Sequence, residues 1–231
     1  CLNGGYGSAR ILDKLDYDYI ASHPKLVIGF SDVTALQTAL WEKCRLVTAN
    51  GPLMVTLGGS DAYTAGQFFQ GLTTDAWRGP LALPAGRKLT TVVPGQAEGP
   101  IVGGNLTVLT SLVGTPYALD GTGCILVLED TGEDAYRIDR MLNQLWQSGL
   151  LSRVAAIAYG DFTDCPHDPG DFTTDQVLDY YAHLAGKPAI KGLPVGHTKD
   201  KAFVPYGVKV RLALALVQLG VVAEAVHGVH V

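Results

Sequence analysis

The chain has few cysteines, no dense run of basic residues and no uninterrupted apolar stretch long enough to span a membrane. Its four cysteines are scattered and form no CxxC pair, which argues against a disulfide framework or a structural zinc site. A net charge of −5 without a basic cluster argues against nucleic acid as the main partner. We therefore expect a protein of a reducing cytoplasm, with no nucleic acid partner and no membrane span.

The most apolar segment covers residues 208–225. Its first half alternates apolar and polar positions, and Lys209 and Arg211 interrupt it. Alternation with a period of two is typical of a half-buried strand and not of a membrane helix. The pattern predicts a strand that belongs to a hairpin with its turn at Gly220.

The order of predicted elements indicates an α/β protein. Apolar runs rich in branched residues alternate with amphipathic helical patterns, which is typical of a parallel sheet with crossover helices. The patterns predict helices over residues 32–43, 61–72, 106–113, 136–147 and 174–185, strands over residues 26–30, 46–48, 90–93, 124–128, 154–159 and 189–193, and a turn at residues 103–105. Glycine, proline and polar residues dominate residues 73–100, so we predict a linker at residues 74–98 between domains at 1–73 and 99–231.

Ser31 occupies the most informative position in the chain. The apolar run over residues 26–28 ends at Gly29, and an amphipathic helical pattern begins at Asp32. This order is typical of a strand, a sharp turn and a helix, which would leave the Ser31 hydroxyl beside the free N–H groups of the first helical turn. The position fits a nucleophile, although the pattern alone favours Ser31 or Asp32 as a helix N-cap.

Two further candidates follow strand-like runs. Glu129 and Asp130 come directly after residues 125–128, and His197 follows a strand and a glycine-containing turn. Sites in α/β folds lie at the carboxyl ends of strands. A histidine can activate a serine hydroxyl while a carboxylate orients the histidine, so Ser31, Glu129 and His197 form a candidate triad. From the residues alone, an alternative stays open in which Asp130 caps a turn and Glu129 is exposed to solvent, without a catalytic role.

Backbone N–H groups near the serine would hold the developing oxyanion of such a reaction. The N–H of Asp32 is one candidate, because it lies at the start of a helix. The loop at Gly4 and Gly5 is another, because glycine lets the backbone approach a substrate closely.

A polar loop is the one candidate for a metal site. It contains Asp161, Asp164, Cys165, His167, Asp168 and Asp171. Oxygen or mixed ligands of this kind could hold a cation. Because Pro166 and Pro169 break the segment, we favour a solvated turn and predict no metal.

Several blocks of the sequence resemble one known family. They are Gly-Gly-Tyr-Gly at residues 4–7, Gly-Phe-Ser-Asp at 29–32, Gly-Pro at 51–52, Gly-Gly-Asn-Leu at 103–106, Leu-Glu-Asp at 128–130 and Gly-Leu-Pro-Val-Gly-His at 192–197. In this order they are similar to the LD-carboxypeptidases, a family that includes the microcin-C immunity peptidases. The blocks extend over nearly the whole chain, which makes the set more specific than any single block.

The resemblance implies a serine peptidase in which Ser31 is the nucleophile, His197 the base and Glu129 the acid. It places the oxyanion hole at the N–H groups of Asp32 and Gly5. The implied reaction releases terminal D-alanine from cytoplasmic murein tetrapeptides in a homodimer without a cofactor. The implied fold is a Rossmann-like N-terminal domain, here incomplete, followed by a β-rich α/β C-terminal domain.

Four residues within or beside these blocks are expected to contact the muropeptide substrate: Asn3, Gly4, Tyr6 and Asn105. At Asn3 the chain departs from the family, which usually has arginine before Gly-Gly-Tyr-Gly. The chain also begins at Cys1 without an initiator methionine and runs directly into a glycine-rich loop. We expect a further N-terminal segment, about the first quarter of a usual family member, to precede it.

Three other functions stay open from the sequence. One is an immunity-type peptidase that cleaves a peptide–nucleotide antibiotic. Another is a non-catalytic muropeptide-binding homologue, which stays open because of Asn3 and the expected missing start. The third is an α/β-hydrolase esterase, because the order serine, acid, histidine matches that class. Residues 29–33 argue against the esterase, since they lack the second glycine of G-x-S-x-G.

Overall fold

A computed structural model describes residues 1–73, 79–213 and 218–221. Within these ranges the helices are a 3-10 helix at Ser8–Lys14, α1 Tyr17–Ser22, α2 Val33–Cys44, α3 Met54–Leu57, α4 Ala62–Thr73, α5 Leu106–Ser111, α6 Ala135–Gln147, α7 Leu150–Arg153 and α8 Thr174–Ala185. The strands are β1 Ile28–Gly29, β2 Thr48–Asn50, β3 Gly79–Pro80, β4 Thr90–Val93, β5 Gln96–Asn105, β6 Ile125–Thr131, β7 Ala156–Thr163, β8 Ala189–Lys191, β9 Val204–Tyr206, β10 Lys209–Ala213 and β11 Gln218–Val221.

The strands form a large and a small sheet. The large sheet has the order β3-β11-β10-β5-β6-β7-β8-β4, and its neighbours from β5 to β8 are parallel. The small sheet has the order β1-β2-β9, in which β1 and β2 are parallel and β9 runs antiparallel to β2. Helices α5 to α8 connect the parallel strands of the large sheet, so the predicted α/β fold class is confirmed.

Strand β6 forms the centre of the core because both of its faces are covered. Leu126 and Leu128 pack into the cluster formed with helices α5 to α8. Ile125 and Val127 point to the opposite face and pack against residues 193–212. Successive side chains of a strand point to opposite faces, so this alternation also decides where the two carboxylates that follow are directed.

The helices follow from local sequence signals. In α6, Ile138, Leu142 and Leu145 recur at helical spacing and are fully buried. Helix α8 begins with a capping box between Thr173 and Gln176 and ends at a left-handed Gly186. The predicted helices at 136–147 and 174–185, which carry these signals, are confirmed to within one residue at each end, as is the helix at 61–72.

The predicted turn at residues 103–105 is wrong, because these residues form the end of strand β5. A Cβ at Gly103 would lie 2.0 Å from the carbonyl oxygen of Val127, and one at Gly104 would lie 2.4 Å from Thr34 Oγ1. Gly103 therefore allows β5 to lie close to strand β6, and Gly104 allows it to lie close to helix α2, and neither forms a turn.

Two other expectations need correction. Residues 73–100 contain β3 and the start of β5 in addition to the predicted strand at 90–93. Gly220 does not form a hairpin turn, because it pairs with Arg211 inside β11; residues 214–217 and 222–231 lie outside the described chain. Since β9 joins the small sheet from within residues 99–231, the domain division at 74–98 stays a prediction.

Replacing Leu142 with alanine tests the packing of α6 on the large sheet. We expect Leu142→Ala to lower the free energy of unfolding by about 2–5 kcal/mol, because the side chain is fully buried and its removal leaves a cavity. Urea denaturation followed by circular dichroism measures the change. The exposed Gln144→Ala in the same helix is the control and should stay near wild type; equal effects would contradict this packing.

Candidate active site

Ser31 lies in the sharp turn between β1 and α2. Its φ of 64° is in the left-handed region, which a non-glycine residue rarely adopts. The turn is tight because a Cβ at Gly29 would lie 2.9 Å from the Val33 side chain. Strain of this kind is typical of a nucleophile held at a strand-to-helix turn.

The N-terminal loop is tied to this turn by Asp32. Its carboxylate accepts hydrogen bonds from the N–H of Gly7 at 3.2 Å and of Ser8 at 2.9 Å, and the Ser8 hydroxyl donates to the Asp32 carbonyl. A Cβ at Gly4 would lie 3.5 Å from Ser31 Oγ, so the loop backbone lies directly beside the serine.

Both proposed oxyanion donors belong to this arrangement. The N–H of Asp32 has no acceptor in the described part of the chain, and it follows Ser31 directly. Gly5 has a φ of 106°, a conformation that side-chain-bearing residues rarely adopt. The two N–H groups thus belong to the two segments that surround the serine, and their role as an oxyanion hole stays a prediction.

Glu129 is almost completely buried, with 1% of its surface exposed. It belongs to β6 and lies on the same face as Ile125 and Val127, because every second residue of a strand points to the same side. The pairing of β6 with β7 shifts register between Leu128 and Asp130, which places an extra β7 residue opposite Glu129. The strand therefore aims this carboxylate at the segment that carries His197.

His197 joins the serine to this carboxylate. Its Nδ1 lies 2.9 Å from Glu129 Oε2, and its Nε2 lies 3.1 Å from Ser31 Oγ. Both distances are within hydrogen-bond reach. An ionised carboxylate can only accept, so the pair places a proton on Nδ1 and leaves the Nε2 lone pair to face the serine hydroxyl.

The pKa of Glu129 is raised above its ordinary value because burial disfavours the charged form. The hydrogen bond from His197 opposes this rise without cancelling it. Nearby, the Phe30 ring contacts the imidazole edge-on with ring centroids 5.0 Å apart, and the Lys201 ammonium lies 5.1 Å from the centre of the same Phe30 ring. Burial lowers the pKa of Lys201.

The other predicted site residues are more dispersed. Asn3 and Tyr6 are exposed, and the Tyr6 ring lies 5.4 Å from the Arg10 guanidinium. Asn105 is buried: its Nδ2 donates to Asp130 Oδ1 at 2.9 Å and its Oδ1 accepts from the N–H of Val108 at 3.1 Å. Asn105 therefore caps α5, and its contact with a substrate stays a prediction.

The chemistry of Asp130 and Asp161 was missed by sequence reasoning. Asp130 is buried and accepts from Asn105 and from the N–H and hydroxyl of Thr107, so it anchors the start of α5 instead of capping a turn. Asp161 belongs to β7 and accepts from the Thr198 hydroxyl at 2.9 Å. Strand alternation after residue 128 was the available signal for Asp130, whereas Asp161 lies within a register shift that the sequence does not reveal.

The polar loop does not gather ligands for a metal. Among the residues that the structure describes, no group of three or more histidine, cysteine, aspartate or glutamate side chains could hold an ion. The cysteines at positions 1, 44, 124 and 165 are all free thiols.

Comparison with known proteins identifies the family. The sequence model of the LD-carboxypeptidase N-terminal domain matches residues 1–51, and that of the LD-carboxypeptidase C-terminal domain matches residues 98–212. The probable murein peptide carboxypeptidase of Bacillus subtilis is 40% identical over 223 residues, which cover 93% of this chain and 68% of that protein. The chain belongs to the LD-carboxypeptidase family.

Other members show the same relationship. The murein tetrapeptide carboxypeptidase of Pseudomonas aeruginosa is 35% identical, covering 90% of this chain and 69% of that protein. The crystal structure of muramoyltetrapeptide carboxypeptidase from Oxalobacter formigenes superposes with a TM-score of 0.81 at 32% identity, covering 94% of this chain and 75% of that one. As a member of this family, the chain is a serine-type carboxypeptidase hydrolase.

The structure of the microcin C7 self-immunity protein MccF in complex with glutamyl sulfamoyl guanosine superposes with a TM-score of 0.87, covering 96% of this chain and 74% of that one. Its identity of 24% establishes a common fold and no more. The same fold therefore occurs in a protein named as a muramoyltetrapeptide carboxypeptidase and in one named as a self-immunity protein.

Replacing Glu129 with glutamine tests the cost of its burial. Because the folded-state pKa is raised, stability linked to this group is fully present below its ordinary pKa of 4.5 and is lost as pH rises through the folded value. We expect the free energy of unfolding of Glu129→Gln to rise relative to that of wild type as the pH increases above 4.5, because wild type must then bury a charge that glutamine does not carry.

The free energy of unfolding in urea at several pH values measures this change. The exposed Glu98→Gln is the matched control and should show no comparable gain. A Glu129→Gln variant whose free energy of unfolding falls relative to that of wild type as the pH increases above 4.5 would contradict the assigned direction.

Proposed function

We propose that this chain is a murein-peptide carboxypeptidase that releases terminal D-alanine through an acyl-enzyme. The observation that carries the proposal is the continuous hydrogen-bonded line from Ser31 Oγ through His197 to Glu129. These three groups come from three distant parts of the sequence, and the order of nucleophile, base and acid supports covalent catalysis.

In the proposed first step, His197 Nε2 removes the proton from Ser31 Oγ as this oxygen attacks the carbonyl carbon of the scissile amide. The carbonyl oxygen becomes an oxyanion that the N–H groups of Asp32 and Gly5 stabilise. Glu129 keeps the imidazole oriented and stabilises the imidazolium that forms. Its burial strengthens this interaction, since little water competes for the carboxylate.

In the proposed second step, the imidazolium gives its proton to the leaving amine and D-alanine departs. The acyl group stays as an ester on Ser31. Water then attacks this ester as His197 Nε2 accepts its proton. The bond between the acyl carbon and Ser31 Oγ breaks, the acid product departs, and His197 returns the proton to Oγ. Every proton in this cycle moves through Nε2, which faces the serine at 3.1 Å.

The names of the relatives support a muropeptide as substrate. The relatives at 40% and 35% identity are named as a probable murein peptide carboxypeptidase and a murein tetrapeptide carboxypeptidase. The MccF self-immunity protein of Escherichia coli is 30% identical, covering 90% of this chain and 69% of that protein, so a peptide–nucleotide substrate is the second candidate. The higher identities favour the muropeptide.

The proposed enzyme acts in the cytoplasm as a homodimer. The free thiols and the murein-related relatives support the location. Among the described helices, none combines the length and apolar composition needed to cross a bilayer. Light scattering coupled to gel filtration measures the assembly, and a monomer at working concentration would contradict the homodimer.

Replacing Ser31 with alanine tests the nucleophile. We expect Ser31→Ala to lower kcat for D-alanine release from a murein tetrapeptide on the order of 10⁶-fold, because the attacking oxygen is lost. Mass spectrometry of the products measures the release, and circular dichroism checks the fold. The matched control is Ser111→Ala, an exposed serine in α5 that should retain activity.

Three substrates separate the candidate functions in the same assay. The murein-peptide carboxypeptidase is tested with a tetrapeptide, the immunity-type peptidase with a peptide–nucleotide conjugate, and the esterase with a short-chain ester. We expect the tetrapeptide to react fastest, and a serine-reactive probe to label wild type but not Ser31→Ala. Tight tetrapeptide binding without product and without labelling would instead favour a non-catalytic binding protein.

A further inference from the structure

The segment that carries His197 has no regular structure of its own. Residues 192–203 connect β8 of the large sheet to β9 of the small sheet, and they contain left-handed glycines at positions 192 and 196. Loops without internal hydrogen-bond ladders depend on contacts from neighbouring segments for a fixed shape. The position of the imidazole therefore depends on what holds this loop.

Arg87 supplies several of those contacts from a distant segment. Its Nε donates to the carbonyl oxygen of Gly192 at 2.8 Å, and its Nη2 donates to that of Leu193 at 3.1 Å. Its Nη1 also donates to Asp200 Oδ2 at 3.2 Å. One planar guanidinium thus binds the loop on both sides of the histidine in sequence.

The same guanidinium is joined to strand β7 through Asp161. Nη2 of Arg87 donates to Asp161 Oδ1, and Asp161 Oδ2 accepts from the hydroxyl of Thr198 at 2.9 Å. The N–H of Asp161 donates to the carbonyl oxygen of Val195 at 2.8 Å. Thr198 follows the histidine directly, so this chain of contacts ends one residue from the imidazole.

The geometry leaves little room for another side chain in this role. The Arg87 side chain is only 16% exposed, and it neutralises two carboxylates, Asp161 and Asp200. The guanidinium donates to four acceptors: the carbonyl oxygens of Gly192 and Leu193 and the carboxylates of Asp161 and Asp200. The single ammonium of a lysine does not match the planar, forked arrangement of these donors. A Cβ at Gly192 would lie 2.6 Å from the carbonyl oxygen of Lys88, which shows how closely the two segments pack.

We propose that Arg87 is a positioning residue that holds the His197 loop in register with Ser31 and Glu129. This inference rests on the proposed function, in which His197 is the base. Arg87 acts through the loop and Asp161 and touches none of the three reacting groups. It also lies between the two segments that the family models match, residues 1–51 and 98–212, so neither model assigns it a role.

The test compares Arg87→Ala and Arg87→Lys with wild type. Because an error near 1 Å in the position of a catalytic group costs roughly 100-fold in rate, we expect kcat for D-alanine release to fall by about that factor in both variants. KM should stay within about threefold of wild type, since the residue does not bind substrate in this proposal. Added guanidinium ion should restore part of the kcat of Arg87→Ala by refilling the vacated site.

Arg153→Ala is the matched control. Arg153 also donates to two carbonyl oxygens, those of Asp120 and Ser148, yet it holds loops that carry none of the proposed site residues. We expect this variant to keep its kcat and to show no response to guanidinium. His197→Ala should lose activity that guanidinium does not restore.

These variants distinguish the inference from the function on which it rests. Activity retained by Ser31→Ala and His197→Ala would overturn the proposed function. If those two variants are inactive, a wild-type kcat in Arg87→Ala would overturn the inference alone, as would a change confined to KM. Failure of both Arg87 variants to fold would also overturn it, because the arginine would then be a general stabiliser of the fold.

Discussion

Burial of the Glu129 carboxylate is the constraint on which the site depends. A charged group removed from water destabilises the fold unless hydrogen bonds compensate it, and burial raises its pKa here. The main compensating donor is His197, which comes from a loop and not from a helix or strand. The loop must therefore be closed over the carboxylate for both stability and the proposed chemistry. The pKa of Glu129 stays raised because burial outweighs the hydrogen bond from His197.

Strand alternation explains why two adjacent carboxylates do different work. Glu129 shares the face of Ile125 and Val127 and meets the histidine, whereas Asp130 shares the face of Leu126 and Leu128 and meets the start of α5. Through its contact with Asn105, whose backbone N–H donates to Thr34 Oγ1 at 3.0 Å, Asp130 also ties β6 to the helix that follows the serine.

The parts of the fold that the sequence reveals are those set by local signals. Helix α8 could be located to the residue because its capping box and its glycine end are both visible. The serine turn was visible because Gly29 precedes it and a helix follows. The pairing of β9 with β2 and the register shift beside Glu129 were not predictable, because they depend on contacts between distant segments. Arg87 was missed for the same reason, since nothing in its own neighbourhood marks it.

The topology places the proposed base in the connection between the two sheets. Ser31 follows β1 of the small sheet, Glu129 lies in β6 of the large sheet, and the loop with His197 runs from β8 in the large sheet to β9 in the small one. The two hydrogen bonds of the imidazole, 3.1 Å to Ser31 and 2.9 Å to Glu129, therefore depend on the relative position of the two sheets. The serine and the carboxylate each move with one sheet, whereas the loop with His197 spans both. A shift of one sheet against the other would therefore break the hydrogen bonds of His197 first. We therefore expect contacts that fix the loop, and not only the three groups proposed to react, to determine whether the site is assembled.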